Sequence, residues 1–381
     1  MRIDDAWLNA PPTQAVFSVL EGAGHRALAV GGCVRDALIG RAVSDIDIAT
    51  DAEPRRVTAL AENAGLRVVP TGIDHGTVTV VSGGIAHEVT TFRRDVETDG
   101  RHAKVAFSTD VAEDASRRDF TMNALYADAR GEVVDPLGGL PDLRARHVRF
   151  IGDPAARIAE DYLRILRFFR FTAWHGDPAR GIDAEGLAAC AEHQEGIDRL
   201  SAERVGHEMR KLLAAPDPAP AVASMAQAGI LARVLPGAAA VALPVLVHLE
   251  AGPGDWIARL AALGGDTSGL RLSKAEARDL HRVAGGARGD LTPFALGDSH
   301  GAGRARDAVT VRAALMAQPV DPADLAEAEA GARAEFPLRA EDLMPGLTGA
   351  ALGAGLERAR DLWRARKGDI PRAALIAAAK G

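Results

Sequence analysis

Two aspartates one residue apart, Asp45 and Asp47, follow a glycine-rich turn at Gly31-Gly32. Residues 44–49 alternate polar and apolar side chains, which is typical of a half-buried strand. Side chains two apart on a strand point to the same face, so the two carboxylates converge and, unpaired, would raise each other's pKa. A divalent cation removes this repulsion, and carboxylate oxygens suit Mg²⁺. Beside a glycine turn that can approach phosphates, such a metal site indicates phosphoryl or nucleotidyl transfer.

Further polar residues could complete that site. A helix predicted at residues 33–39 would present its N-terminus to a triphosphate, and Arg35 would reach the β and γ phosphates as a charged donor. Glu88, on a predicted strand, would add a third carboxylate. Three carboxylates could hold two metal ions, one activating an attacking hydroxyl and one supporting the leaving group. The segment between Arg117 and Asn123 could bind phosphate and ribose oxygens together.

A row of charged residues lies on the helix predicted at residues 155–174. Asp161 and Arg164 are neighbours at i, i+3, and Arg167 and Arg170 continue the row. As a salt-bridged face this row would contribute a few tenths of a kcal/mol per pair, yet three arginines among Leu, Ile and Phe are costly to bury. A carboxylate can accept from the amino group of cytosine or adenine while arginine donates to a ring acceptor. Uracil and guanine present a carbonyl there, so the pair would select C and A.

The elements that must position these residues fall into two groups. The first 150 residues read as mixed α/β, whereas the strand signal disappears after residue 154 and only helices are predicted. Strands are predicted at residues 27–30, 66–70, 77–81 and 87–91, with a helix at 53–64 and a hairpin turn at 128–132. Later helices are predicted at residues 155–174, 202–213, 221–235, 243–249, 256–263, 274–284, 321–334 and 351–365. The Gly-rich residues 285–303 are predicted as a linker.

Length and composition fit an ordinary globular protein of two or more domains, since the 381 residues are 47 % hydrophobic and 25 % charged. We find no secretory signal and no apolar run long enough to predict a membrane span. Cys33 and Cys190 lie far apart, which favours a reducing cytoplasm. The net charge of −7 does not indicate a nucleic-acid binder, but all except five of the 45 basic residues are arginine. Arginine suits phosphate recognition, and residues 351–381 are locally basic.

Seven motifs occur in a fixed order between residues 25 and 215. They are Val30-Gly31-Gly32-x-x-Arg35-Asp36, Asp45-x-Asp47, His75-Gly76-Thr77, Glu88-Val89-Thr90-Thr91-Phe92, Arg117-Arg118-Asp119-x-x-x-Asn123, Glu160-Asp161-x-x-Arg164 and Ser201-Ala202-Glu203-Arg204. In order and spacing this set resembles the class II tRNA nucleotidyltransferases, which are the CCA-adding enzymes, and the related bacterial poly(A) polymerases. Beyond residue 215 the similarity is faint.

The resemblance implies a fold and a set of partners. The fold would be an α/β nucleotidyltransferase head, a mixed sheet with helices, followed by an all-α neck, body and tail. The four regions would be the head at 1–150, the neck at 151–215, the body at 216–310 and the tail at 311–381. The helices beyond the head would hold the acceptor end and elbow of tRNA, mainly by backbone and shape. CTP and ATP would be the substrates, and neither a membrane nor DNA is expected as a partner.

The resemblance also implies roles for individual residues. Asp45 and Asp47 would hold Mg²⁺, two ions in the active complex, with Glu88 as the third catalytic carboxylate. The nucleotide-binding residues would be Gly32, Arg35 and Arg118 at the triphosphate, Asp119 and Asn123 at the ribose, Asp161 and Arg164 at the base, and Arg167 and Arg170 as their support.

Several activities agree with these motifs. In the leading hypothesis the tRNA 3′-hydroxyl attacks the α-phosphate of CTP or ATP, pyrophosphate leaves, and C, C and A are added in turn. A poly(A) polymerase, a CC-adding enzyme and an A-adding enzyme are the rivals. Residues 95–104 resemble a flexible loop that CC-only enzymes lack, which argues against CC-only addition. No basic cluster with aromatics follows the neck, which makes poly(A) synthesis a weaker alternative.

Two hypotheses come from other classes of protein. A non-catalytic tRNA- or RNA-binding protein could keep the fold, but it would have no use for three clustered carboxylates near phosphates. A dinucleotide-dependent enzyme is poorly supported because the glycines at residues 22–24 precede a predicted strand instead of following one.

Overall fold

The structure is a computed structural model and describes residues 1–73, 76–99 and 102–381. The chain divides into two compact units, Met1–Leu200 and Ser201–Gly381. The first unit contains the sheet and its helices, and the second is helical. This arrangement confirms the predicted α/β head followed by an all-helical region.

Nine strands occur in the described part of the first unit. They are β1 (Ala27–Val30), β2 (Ile46–Thr50), β3 (Arg67–Gly72), β4 (Thr77–Ser82), β5 (Ile85–Thr91), β6 (Arg93–Asp99), β7 (His102–Phe107), β8 (Tyr126–Ala127) and β9 (Val133–Val134). Seven of them form one mixed sheet in the order β3-β4-β5-β2-β1-β8-β9, while β6 and β7 pair with each other. The segment expected as a loop at residues 95–104 therefore belongs largely to two strands. His75, Gly100 and Arg101 lie outside the described residues.

The central strand β2 positions the acid pair. It pairs antiparallel with β1 and parallel with β5, and the parallel register sets Asp47 opposite Glu88. Ile48 and Ala49 are fully buried on this strand, and Phe92 packs in the same apolar cluster as Ala49. Burial fixes the register, because a slip by one residue would bring Asp47 to the face that Ile46 and Ile48 bury.

Nine helices accompany the sheet in the described part of the first unit. They are α1 (Ala6–Asn9), α2 (Pro11–Gly22), α3 (Gly32–Leu38), α4 (Pro54–Asn63), α5 (Val111–Ser116), α6 (Leu140–Arg144), α7 (Pro154–Glu160), α8 (Leu163–His175) and α9 (Ala184–Glu192). The single helix predicted at residues 155–174 is therefore two helices. Asp161 breaks the run with extended backbone at φ −153° and ψ 105°, and its carboxylate accepts from the Leu163 N–H at 3.1 Å. Asp161 and Arg164 consequently do not share one helix, which corrects the i, i+3 prediction.

Helix α8 packs within the first unit through aromatic rings. Phe168 stacks on Phe150 at 5.3 Å between centroids, and Phe171 lies 5.0 Å from Phe120. Such aromatic pairs contribute about 0.5–1.5 kcal/mol each beyond their buried area. The helix that follows Asp161 is thus fixed against the segments that carry the nucleotide-site residues.

Helices make up the second unit. They are α10 (Ala202–Leu213), α11 (Ala219–Gln227), α12 (Ile230–Val234), α13 (Ala242–Leu249), α14 (Trp256–Leu263), α15 (Lys274–Arg288), α16 (Pro293–Leu315), α17 (Pro322–Arg333), α18 (Gly349–Ala365) and α19 (Arg372–Lys380). Among the described residues, no helix has both the length and the apolar character needed to cross a membrane.

The linker predicted at residues 285–303 is wrong, because α15 and α16 cover most of it. Its glycines serve close helix packing instead. A Cβ at Gly297 would lie 2.0 Å from the Ala328 carbonyl oxygen, and one at Gly331 would lie 2.0 Å from the Phe294 carbonyl oxygen. Helices α16 and α17 can approach this closely only because neither glycine has a side chain.

Candidate active site

The acid pair lies at the beginning of the central strand. Asp47 is half-buried on β2, whereas Asp45 is exposed immediately before it and accepts from the Ser44 hydroxyl at 3.0 Å. Glu88 is exposed on β5 and is the register partner of Asp47. The parallel register therefore sets Glu88 beside Asp47 on adjacent strands, and Asp45 lies just before the first of them.

Burial and the neighbouring charges together shift the pKa of Asp47. Burial is the main cause that raises the pKa of Asp47 to about 6; Glu88 and Asp45 act in the same direction, and Arg118 opposes them. Burial disfavours the charged form of this carboxyl, and the two neighbouring carboxylates add to the same effect. The three acids and Arg118 thus share one electrostatic environment.

The donor set at this position fits a hard divalent cation. Asp45 and Asp47 offer carboxylate oxygens, which Mg²⁺ prefers, and Mg²⁺ usually takes one or two carboxylates together with water and substrate phosphates. Within the described residues, no three His, Cys, Asp or Glu side chains gather closely enough to enclose an ion by themselves. Oxygens from a bound triphosphate would therefore have to complete the coordination.

The glycine turn lies between β1 and α3. Gly31 adopts φ 73° and ψ −119°, a conformation that favours glycine, and its N–H donates to the Leu125 carbonyl at 3.1 Å. A Cβ at Gly31 would lie 3.5 Å from Nη1 of Arg118, so the guanidinium lies directly over the turn. The turn thus places the half-buried Gly32, at the start of α3, close to a cation, which suits a phosphate group.

A continuous chain of hydrogen bonds joins four predicted nucleotide residues. Arg35 donates to the Asn123 side-chain oxygen at 2.7 Å, and the Asn123 amide donates to Asp119 at 2.9 Å. Arg167 donates from Nε to the other Asp119 oxygen at 2.7 Å. Burial alone would raise the pKa of Asp119, but Arg167 and Asn123 outweigh it and the net shift is downward. Asp119 therefore stays charged as the centre of this chain.

Arg118 is held by two residues that the sequence patterns did not single out. It donates to Asp114 at 3.0 Å and to the Tyr126 hydroxyl at 3.1 Å, and that hydroxyl donates to Asp114 at 2.8 Å. Burial would raise the pKa of Asp114, yet Arg118 and Arg117 lower it overall. Asp114 precedes the two arginines by three and four residues, a helical spacing that could have revealed it.

The predicted base-reading arginine has partners other than Asp161. Nη1 of Arg164 donates to Glu160 at 2.5 Å and to the Arg157 carbonyl at 2.8 Å. Its Nη2 donates to the Arg117 carbonyl at 3.0 Å. Glu160 belongs to the motif but was not assigned a role, and here it fixes the orientation of Arg164. Asp161 is placed next to this group by the break between α7 and α8.

Comparison with protein families extends the match seen in the motifs. A family model described as the poly A polymerase head domain matches residues 27–149. A second model, described as a probable RNA- and SrmB-binding site of polymerase A, matches residues 181–241. The first covers the whole sheet and the acid pair.

Named relatives agree with these models over part of the chain. The CCA-adding enzyme of Anoxybacillus flavithermus is 40 % identical over 220 residues, which are 57 % of this chain and 54 % of that protein. The human mitochondrial CCA tRNA nucleotidyltransferase 1 is 43 % identical over 190 residues, which are 50 % of this chain and 44 % of that protein. The aligned segments thus span about half the length of these relatives.

A solved structure extends the likeness to nearly the full length. The CCA-adding enzyme of Bacillus stearothermophilus, solved in complex with CTP, superposes with a TM-score of 0.76 and 30 % identity. The match covers 93 % of this chain and 91 % of that one. Proteins of this kind generally use divalent metals, in keeping with the oxygen donors at Asp45 and Asp47. A likeness of this extent, added to the head-domain match, means that the chain belongs to the tRNA nucleotidyltransferase family of the CCA-adding enzymes.

Proposed function

We propose that this protein adds C, C and A in turn to the 3′ end of tRNA, using CTP and ATP and releasing pyrophosphate. The observation that carries the proposal is the register of β2 with β5, which sets Glu88 opposite Asp47 beside the glycine turn. The names of the relatives support the same reaction, since they are CCA-adding enzymes.

The acid pair would bind the metal. Asp45 and Asp47 would hold Mg²⁺, two ions in the active complex, with Glu88 beside them. When bound, the metal would activate the attacking 3′-hydroxyl and stabilise the leaving pyrophosphate. Because Asp47 lies on the central strand and Asp45 just before it, the protein can present both carboxylates without moving the sheet.

The other predicted residues would bind and orient the nucleotide. Arg35 and Arg118 would neutralise charge on the triphosphate, and Gly32 would offer it a backbone N–H. The ribose would meet Asp119 and Asn123, whose side chains are already ordered by hydrogen bonds to each other. Asp161 and Arg164 would read the base, with Glu160 holding the guanidinium in place.

We assign the four regions as functional parts of this enzyme. Residues 1–150 would form the catalytic head and 151–215 the neck, while 216–310 and 311–381 would form a body and a tail that bind the tRNA acceptor end and elbow. A cytoplasmic location belongs to the same proposal, and it is supported by two cysteines that are free and buried.

The test uses three tRNA transcripts that end before CCA, after the first C and after CC. Each is incubated with the full-length protein, Mg²⁺ and either CTP, ATP or both, and the products are resolved at single-nucleotide steps. Three additions that then stop are expected. One A added only to the CC-ending transcript would identify an A-adding enzyme, and an unbounded ladder of A would identify a poly(A) polymerase. No extension would favour a non-catalytic tRNA-binding protein.

Substitution of Asp47 tests whether nucleotide incorporation depends on this site. Asp47→Asn should abolish incorporation and leave tRNA binding within about twofold, because the substitution removes a charge without changing shape. Asp51→Asn is the matched control, since Asp51 is bonded to His25 at 3.1 Å and has no predicted catalytic role. Turnover in Asp47→Asn at the wild-type rate would remove Asp47 from the metal site.

A further inference from the structure

Three guanidinium groups converge on one buried aromatic ring. The Cζ atoms of Arg35, Arg167 and Arg170 lie 5.3, 5.2 and 4.6 Å from the ring centroid of Phe171. Cation–π attraction acts within about 6 Å of a ring centroid. All three guanidinium groups are therefore close enough to this one ring for cation–π attraction.

The position of this ring is fixed by its surroundings. Phe171 is 4 % exposed. It packs 5.0 Å from Phe120 on one side and 5.4 Å from His175 on another. A ring confined in this way gives the three guanidinium groups a fixed contact, in addition to the hydrogen bonds of Arg35 and Arg167.

Three cations around one point repel each other unless something offsets their charge. Asp36 accepts two hydrogen bonds from Arg35, at 2.9 and 3.0 Å, and Asp119 accepts from Arg167 at 2.7 Å. The negative face of the aromatic ring is the group that the three cations share, and its attraction is largest where water is excluded.

We propose that Phe171 is a positioning residue for nucleotide binding. Its ring holds Arg35, on the helix that follows the glycine turn, in a fixed relation to Arg167 and Arg170 on α8. Through Arg35 it would set the triphosphate contact, and through Arg167 and Asp119 it would set the ribose contact. This inference rests on the proposed function, because it assumes that these residues bind a nucleoside triphosphate.

Fluorination of the ring tests the proposal without changing the fold. Fluorine withdraws electron density from the ring face and weakens cation–π attraction stepwise, while the shape of the side chain is almost unchanged. We would replace Phe171 in the full-length protein with 4-fluoro-, 3,5-difluoro- and 3,4,5-trifluorophenylalanine and measure CTP and ATP binding by calorimetry. Affinity for both nucleotides should fall with each added fluorine, reaching roughly tenfold for the trifluoro ring.

Phe169 supplies the matched control. It is fully buried on the same helix and packs edge-on against Phe168 at 5.6 Å. The same fluorinated series at Phe169 should leave nucleotide affinity within twofold. An unchanged affinity across the Phe171 series, or an equal loss in the Phe169 series, would overturn the positioning role.

Kinetics separate this proposal from the proposed function. In tRNA extension, the Phe171 series should raise KM for CTP and ATP while kcat changes less than twofold, because the ring does not touch the reacting atoms. Phe171→Leu should show a larger rise in KM than Phe169→Leu. If the wild-type protein extends no tRNA, the proposed function fails, whereas nucleotide binding still reports on the ring.

Discussion

Arg164 has both terminal nitrogens bonded within the protein, to Glu160 and to two backbone carbonyls. Its plane is therefore set before any nucleotide arrives. A guanidinium has only N–H donors, so a preorganised one can bond a ring acceptor but not a ring donor at the same place. This argues for a role in base selection and not only in charge neutralisation.

Arg164→Ala should reduce discrimination as well as rate. A well-oriented hydrogen-bonding pair contributes about 1–3 kcal/mol of selectivity between bases, so the preference for CTP over UTP should fall roughly tenfold or more. The measurement is kcat/KM for each nucleotide with a tRNA transcript lacking CCA. Arg149→Ala is the control, since Arg149 pairs with Asp142 and is 47 % exposed. Wild-type discrimination in Arg164→Ala would show that the base is read elsewhere.

His175 is buried among cations at the end of α8. Burial is the main cause that lowers the pKa of His175 to about 2, and Arg35, Arg41, Arg170 and Arg146 act in the same direction. Nη1 of Arg41 lies 3.3 Å from its Nδ1, so the neutral imidazole accepts a hydrogen bond there. The native protein therefore keeps this histidine uncharged well below the pH at which an exposed histidine takes up a proton.

The stability of the protein should depend on pH through this residue. Below pH 6.5 the unfolded chain binds a proton at His175 that the native state does not bind, so acid favours unfolding. Between about pH 7 and pH 5 this should remove about 2 kcal/mol from the free energy of unfolding. Urea unfolding at both pH values should show a smaller loss for His175→Gln, whereas the exposed His207→Gln should behave as wild type. Equal losses in all three proteins would contradict the assignment.

Local patterns were sufficient to predict the chemical groups of the candidate site. Asp45 and Asp47 are two apart, and Gly31 is followed by a helix, so short-range rules identify them. The groups that orient the arginines were missed because they depend on tertiary contacts. The sequence predicts Tyr126 as a strand residue. No residue near it in the sequence indicates that its hydroxyl accepts a hydrogen bond from Arg118.

At the scale of elements, the turn between β1 and α3 requires a backbone conformation that favours glycine. Gly31→Ala would place a side chain on a backbone at φ 73°, although its Cβ would lie at an ordinary contact distance of 3.5 Å from Nη1 of Arg118. The free energy of unfolding should fall by about 1–3 kcal/mol, and CTP affinity should fall with it. Gly32→Ala is the steric control, because its Cβ would find only Nη2 of Arg35, at 3.9 Å. Urea unfolding of the two variants provides the comparison, and equal stability would contradict a strained turn.

Two errors at this scale have the same origin. Helical spacing predicted one helix across residues 155–174, but the Asp161 carboxylate caps the Leu163 N–H and starts a second helix. Glycine content predicted a linker at residues 285–303, but Gly297 allows α16 to approach α17. In both cases one contact decided the structure, that of Asp161 with the Leu163 N–H or that of Gly297 with α17. Neither helical spacing nor glycine content reveals such a contact.

At the scale of the whole molecule, many of the arginine side chains form ion pairs with carboxylates. Arg360 and Arg364 both pair with Asp298, and Arg372 pairs with Asp342. Residues 351–381 also contribute buried side chains such as Trp363 and Leu375 to an apolar cluster. Deleting that segment would remove core as well as charge, so single charges are the better probes.

Neutralising exposed charges in this segment should weaken tRNA binding. Arg366 and Lys380 are exposed, and the double variant Arg366→Gln, Lys380→Gln should lower affinity for tRNA. The slope of log K against log salt should become shallower by about one unit for each phosphate that the variant no longer neutralises. Filter binding between roughly 50 and 200 mM salt gives the measurement. The double variant Arg55→Gln, Arg56→Gln, at exposed positions on α4, is the control. Equal slopes for the two double variants would mean that residues 351–381 do not contact tRNA phosphates.

The parallel pairing of β2 with β5 has a consequence for the order of folding. Strands β3, β4 and β5 follow one another as antiparallel neighbours, so they can pair soon after synthesis. Asp47 and Glu88 meet only when the chain between them has closed into a loop, and the entropy of that closure delays non-local pairing. The pairing that aligns Asp47 with Glu88 is therefore non-local, whereas the β3–β4 and β4–β5 pairings join neighbours in the chain. The catalytic geometry thus depends on the part of the sheet whose formation costs more loop entropy.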